Sequence, residues 1–264
     1  MHSAILIVCG LLVFIYLSLC LAAHLMTPKN LFKPQPCSYT MHSIPNGYFV
    51  TLADNTKIAV SYSPIQHAKY VIFFNHGNRA DIGYSLHYCK YFNDIGFSFL
   101  IYDYPGYGCS TGTPNIKGIE SSVLQVYDDF IQRFSMKPEQ IIAYGRSLGG
   151  GPSIYLAENR RVAGLITDGT FMSVYRIKTR WPILLGDKLK NILRIKKVQA
   201  PYYSIHGLSD TLVNPVHAQK LYDSATTEKM RWWVPGYKHD EHPVEFPDFQ
   251  RNLMEFVRLI ESKH

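Results

Sequence analysis

The chain has no Cys-x-x-Cys pair, no internal repeat and no low-complexity tract. Its five cysteines are scattered: Cys9 and Cys20 in an apolar leader, Cys37, Cys89 and Cys109 singly beyond it. That spacing provides neither a disulfide framework nor a zinc or dithiol redox centre. Acidic residues are also scarce, 20 against 27 Lys and Arg, for a net charge of +7. The excess is concentrated. Arg176, Lys178, Arg180, Lys188, Lys190, Arg194, Lys196 and Lys197 face only Asp187, so this one segment carries all of it. Such a cluster reads either as a solvated helix face with a basic loop, or as a cationic collar. A collar would, with Trp181 and Leu184-Leu185, rest on anionic lipid. No recognition motif accompanies the cluster, so nucleic-acid binding is not expected. Apolar content of 47% and 14% aromatics exclude a disordered chain, and 264 residues suit one domain with a leader.

Ala4 to Ala23 is uncharged throughout. As a helix, 20 residues rise about 30 Å, the thickness of a bilayer's hydrocarbon core. No Lys or Arg precedes the run, and Cys20-Leu21-Ala22-Ala23 makes a poor cleavage site. A single-pass anchor over residues 1–27 is therefore favoured over a cleaved signal. Lys29 and Lys33 follow the run, which favours a cytoplasmic catalytic domain, with an exported one as the alternative. Residues 28–46, with Pro28, Pro34, Pro36 and Pro45, read as a stiff linker, and 47–264 as the catalytic domain.

Beyond the linker, Gly47–Ala53 and Lys57–Ser63 predict a hairpin, and then strands and helices alternate. Strands are expected at Tyr70–Asn75, Phe97–Tyr102, Gln140–Tyr144, Val162–Thr167, Tyr202–Ile205 and Met230–Val234. Helices are expected near Ile82–Phe92, Ile116–Phe134, Leu148–Glu158, Pro215–Tyr222 and Pro243–Ser262. Alternation of this kind builds an α/β domain, a mostly parallel sheet with helices on both faces. The stretch from Phe171 to Ala200 leaves room for a cap of one or two helices.

The most informative segment is Gly145-Arg146-Ser147-Leu148-Gly149, reached directly from the apolar run Ile141–Tyr144. This G-x-S-x-G pattern places a serine on a sharp strand-to-helix turn, where it serves as a nucleophile. A serine nucleophile needs a base and an acid to orient that base. Asp168 and Asp210 each follow a predicted strand, and both are candidates for the acid. His239 leaves the turn after Trp232–Val234, while His242 precedes Pro243 at a predicted helix start, as a capping or surface residue would. His239-Asp240-Glu241-His242 lies in a loop, not in the helix that a metal-binding H-E-x-x-H requires, so no metal is expected. No organic cofactor is called for.

Taken together, His76-Gly77-Asn78, Tyr102–Gly108, Tyr144–Gly150, Ile205-His206-Gly207, Asp210 and His239 resemble the α/β-hydrolase superfamily across roughly residues 45–262. Within it, the chain resembles the membrane-anchored group related to the α/β-hydrolase-domain depalmitoylases. Trp181–Lys188 more weakly resembles that group's segment before the acid-bearing strand. The resemblance implies an α/β-hydrolase fold, a Ser147–Asp210–His239 triad and Asp210 in preference to Asp168. It also implies an oxyanion hole made by the backbone N–H groups of Asn78 and Leu148, and a structural role for His76 in the oxyanion turn. Asp103 is expected to tie down the turn after its strand. Two departures, Arg79 after His-Gly-Asn and Lys238 in place of glycine before the histidine, add positive charge near the site.

The expected activity is hydrolysis of an acyl ester or acyl-thioester at a membrane surface, with membrane lipid as a partner. The alternatives are a peptidase or acyltransferase on the same fold, and a non-catalytic membrane-bound binding protein.

Overall fold

A computed structural model describes residues 2–179 and 181–262; Arg180 of the basic cluster and the side chain of Lys29 lie outside that description. Period-two alternation in the strands sorts side chains to two faces of one sheet. Val71 and Phe73 join one core, Ile72 and Phe74 the other. The strands are β1 (Tyr48–Thr51), β2 (Lys57–Ser63), β3 (Val71–Asn75), β4 (Ser98–Tyr102), β5 (Ile141–Arg146), β6 (Gly164–Asp168), β7 (Tyr202–Gly207) and β8 (Lys229–Val234). Their order across the sheet is β1-β2-β4-β3-β5-β6-β7-β8. The β1–β2 and β2–β4 pairs are antiparallel and every other pair is parallel. This is the α/β-hydrolase fold, with the hairpin at one edge.

Helices α1 (His2–Leu31), α2 (Leu86–Asp94), α3 (Ile116–Arg133), α4 (Gly150–Asn159), α5 (Asn191–Arg194), α6 (Val216–Ser224) and α7 (Phe249–Glu261) complete the described chain. Ile119, Val123 and Phe130 of α3, Ile154 of α4 and Leu221 of α6 fill one core. Tyr88 and Phe92 of α2 and Leu253 and Phe256 of α7 fill the other. Two expected helices are shorter than their apolar patterns. The stretch after Pro243 breaks into a single turn, Pro243–Glu245, and then α7. The break falls at Phe246, held extended at φ −91°, ψ 131°. Pro247 imposes this, because the residue before a proline is sterically kept from helical geometry. Likewise Ile82–Phe92 resolves into the turn Gly83–Ser85 followed by α2. The cap over Phe171–Ala200 consists of short turns and α5.

Within α1, residues Ile5–Thr27 are long and apolar enough to cross a membrane. The helix runs on past this stretch, and Leu31 and Phe32 enter the domain core. The proline-rich segment that follows is strapped to the domain by polar contacts. The Lys33 N–H donates to Asn78 Oδ1 (2.9 Å), Ser38 Oγ to Asp81 (2.5 Å) and the Tyr39 hydroxyl to Asp103 (2.5 Å). Cys37 and Cys109 are free thiols with sulfurs 3.3 Å apart across this contact.

Candidate active site

The parallel strands direct their C-terminal ends to one edge of the sheet, and the site is assembled there. At the end of β5 the chain turns so sharply that Ser147 adopts φ +52°, the left-handed region that a side chain occupies only under constraint. Both pentapeptide glycines are needed for that turn. A Cβ on Gly145 would lie 2.3 Å from the Gly149 carbonyl oxygen, and one on Gly149 2.0 Å from the Asn75 carbonyl oxygen. Either would drive α4 away from β5 and β3.

Three loops bring three side chains into a line. Ser147 Oγ lies 2.9 Å from His239 Nε2, and His239 Nδ1 lies 2.7 Å from Asp210 Oδ2. Asp210 Oδ1 accepts the Leu212 and Val213 N–H groups at 2.9 and 2.8 Å. Burial works against the Asp210 charge, but the His239 hydrogen bond and these backbone donors outweigh it and hold the carboxyl below its usual range. Behind it His206, wholly buried, donates from Nε2 to the Val213 carbonyl (2.8 Å) and braces the loop. Burial lowers the His206 basicity and keeps it neutral.

Asp168, the competing acid, faces elsewhere. It accepts Arg146 Nη1 at 2.7 Å and the Tyr237 hydroxyl at 3.0 Å in a fully buried position. Arg146 then donates through Nη2 to the carbonyls of His239 and Glu241, 2.6 Å each. Sequence reasoning passed over Arg146 as the variable residue of the pentapeptide, and Tyr237 as an ordinary aromatic. Neither residue type signals such a role without the distant partners it meets. His242 is half-buried rather than a surface cap. Its Nδ1 lies 3.0 Å from the Tyr88 hydroxyl, and burial pushes its pKa down to about 4.

Gly77 lies beside Ser147, a Cβ there being 3.9 Å from Ser147 Cβ, so the loop carrying Asn78 borders the serine. The Asn78 side chain is engaged: its Oδ1 also accepts the Tyr107 hydroxyl at 3.0 Å. Asn78 and Leu148 both line the cleft with Ser147. His76 is buried, donates from Nδ1 to the Gly77 carbonyl (2.8 Å) and is pushed down to about 4 by burial, so it shapes the turn as a neutral ring. Asp103 accepts the Ile82 N–H (2.9 Å) as well as Tyr39. It therefore ties two neighbouring segments to β4 rather than only its own turn.

The cleft measures about 1120 Å³ and is walled by apolar side chains, among them Leu31, Phe74, Phe171, Val174, Ile177 and Leu184. Lys33, Arg79 and Lys178 line it. Lys238 is exposed and does not line it. Two cations of the basic segment are held in ion pairs with the domain. Arg194 pairs with Glu120 (2.7 Å) and Lys197 with Glu158 (2.6 Å), on α3 and α4. Among its described residues, Lys178 is the cation at the cleft.

A family model described as serine aminopeptidase, S33 matches residues 66–196. α/β-hydrolase domain-containing protein aho-3 of Caenorhabditis elegans is 30% identical over 74% of this chain and 60% of its own length. The chain thus spans about three-fifths of that relative. α/β-hydrolase domain-containing protein 17B of Homo sapiens is 30% identical over 72% of this chain and 67% of its own. Among solved structures, a Pyrococcus furiosus esterase superposes with a TM-score of 0.70 at 16% identity, covering 86% of this chain and 98% of that one. Mouse α/β-hydrolase domain-containing protein 10 superposes at 0.61 and 17% identity, over 83% of this chain and 99% of that one. The chain belongs to the α/β-hydrolase superfamily, within its α/β-hydrolase domain-containing group.

Proposed function

We propose that this protein is a membrane-anchored serine hydrolase that cleaves acyl ester or acyl-thioester bonds. The observation carrying the proposal is the continuous Ser147–His239–Asp210 hydrogen-bond chain at the wall of a large apolar cleft. Ser147 Oγ attacks the acyl carbonyl as His239 Nε2 takes its proton, and Asp210 holds the imidazole in the tautomer that allows this. The resulting oxyanion is received by the N–H groups of Leu148 and Asn78; one such donor contributes about 3 kcal/mol to lowering the barrier. The tetrahedral species collapses, the alcohol or thiol leaves with the proton from His239, and an acyl-serine remains. Water, deprotonated by the same histidine, attacks that ester and regenerates the serine.

A peptidase reading has support from the description of the matching family model. Gripping a substrate's amino terminus calls for carboxylates, however. The cleft is lined by Lys33, Arg79 and Lys178 against Asp240 as its one lining carboxylate among the described residues. An acyl group without a positive charge suits this lining better.

The test is a panel of p-nitrophenyl esters and acyl-thioesters of graded chain length, run beside aminoacyl-p-nitroanilides. Wild type should cleave the first set and take a fluorophosphonate label, and Ser147→Ala should do neither while retaining its melting temperature. Undiminished labelling of the alanine variant would remove the nucleophile, and preference for the anilides would favour the peptidase.

A further inference from the structure

The membrane-length helix and the cleft share residues. Ala23, Met26, Thr27 and Leu31 of α1 line the same cavity as Ser147 and His239. Spaced at i, i+3, i+4 and i+8, they form one helical stripe. Nearer the N-terminus that helix docks on the cap loop before α5. The Tyr16 hydroxyl donates to the Ile183 carbonyl at 2.9 Å, and the Leu185 N–H reaches Cys20 Sγ at 3.4 Å. Gly186 abuts His24, whose Nδ1 would lie 3.7 Å from a Cβ there. The loop therefore tracks the helix from His24 back to Tyr16.

Depth along the helix decides what surrounds the loop. Thr27 to Tyr16 is about 16 Å at 1.5 Å per residue, roughly half of what the whole membrane-length stretch Ile5–Thr27 would span. At these levels Leu17, Leu21 and Leu25 stand exposed. Apolar side chains in a row on a helix of membrane length call for hydrocarbon around them. The loop presents Trp181, Ile183 and Leu185 outward, 65%, 57% and 60% exposed, while Leu184 between them turns in and lines the cleft.

We propose that residues 181–186 and α1 form a lip sunk in the bilayer, and that the cleft takes its acyl chain sideways from the hydrocarbon. The substrate class is then the long-chain ester or thioester already resident in a membrane; this rests on the acyl-hydrolase reading above. A chain that moves from bilayer to apolar cleft exchanges one hydrocarbon surrounding for another. Passage through water would disfavour it by about fourfold for every methylene exposed. Leu184, Ala23 and Met26 flank the route, and the carbonyl remains at the level of Ser147.

The test uses the full chain in phosphatidylcholine vesicles whose acyl chains are brominated near mid-chain. The chain has three tryptophans, Trp181, Trp232 and Trp233, so the difference between wild type and Trp181→Phe isolates Trp181 emission. That emission should be quenched by the brominated lipid and spared by aqueous iodide; the opposite pattern overturns the lip. In the same vesicles, the double variant Ile183→Glu, Leu185→Glu should cleave a vesicle-resident long-chain thioester at least tenfold more slowly. It should still cleave soluble p-nitrophenyl acetate at the wild-type rate. Equal wild-type and variant rates on the vesicle substrate would overturn sideways loading. Inertness of the wild type towards both substrates would instead remove the hydrolase reading, and the quenching would still decide where the lip lies.

Discussion

Asp168 is the last residue of β6, Asp210 lies three residues past the end of the neighbouring parallel strand β7, and both carboxylates are buried at the same edge of the sheet. From the chain alone either could orient a catalytic histidine. They differ in what the exit loop of β8 offers each. To Asp210 it presents His239 Nδ1 at 2.7 Å, while the other carboxylate oxygen accepts the Leu212 and Val213 N–H groups of its own loop. To Asp168 it presents the Tyr237 hydroxyl, and Arg146 fills the rest of that site. One carboxylate thus meets the imidazole of His239 directly, while the other holds an arginine that grips the backbone carbonyl of His239 from behind. Equivalent topology does not confer equivalent chemistry, because the third element decides which carboxylate meets the imidazole.

The comparison can be broken most sharply at the triad. Asp210→Asn and His239→Ala should each lower kcat by about 10⁴-fold with little change in melting temperature, since both remove tautomer control or the base itself. Steady-state kinetics on the preferred ester checks this. An active Asp210→Asn paired with a dead Asp168→Asn would exchange the roles of the two carboxylates.

Arg146→Met should come next, at roughly 10²-fold in kcat/KM, because the His239 and Glu241 carbonyls lose their donor and the imidazole shifts by a fraction of an ångström. Fluorophosphonate labelling should persist at a reduced rate, as expected of a positioning residue. Arg146→Lys should recover only part, lacking the second nitrogen needed to serve Asp168 and the loop at once.

Asp168→Asn should act on stability first. It leaves the largely buried Arg146 without its counter-charge, a change that typically costs about 3 kcal/mol. Thermal melts should register the loss, with activity down by about tenfold or less at temperatures where the variant remains folded.

His242→Gln should have the smallest kinetic effect, within a few-fold, and its signature is pH dependence. His76, His217 and His242 are each pushed down to about 4, in every case by burial first. Below pH 6.5 the unfolded chain takes up protons that the folded one refuses until about pH 4. Stability therefore falls as pH drops through that window. The melting temperature of the full chain in detergent should decline from pH 7 to 4.5, and His242→Gln should make the decline shallower.

Much of this molecule is written in short-range pattern. The glycine spacing about Ser147 dictates its turn, since no other residue fits at positions 145 and 149. Apolar alternation and apolar runs dictate the sheet and its two cores, because each side chain's face follows from its parity along the strand. Twenty uncharged residues dictate a membrane-length helix. By contrast, the partners of Asp168, the burial of His242 and the docking of α1 against the cap loop join residues up to 167 positions apart. So do the ion pairs of Arg194 with Glu120 and of Lys197 with Glu158 and the hold of Arg146 on the His239 loop. Such contacts depend on where strand ends and loops converge after the sheet has formed. Local sequence carries no record of that distance, and only the tertiary structure decided them.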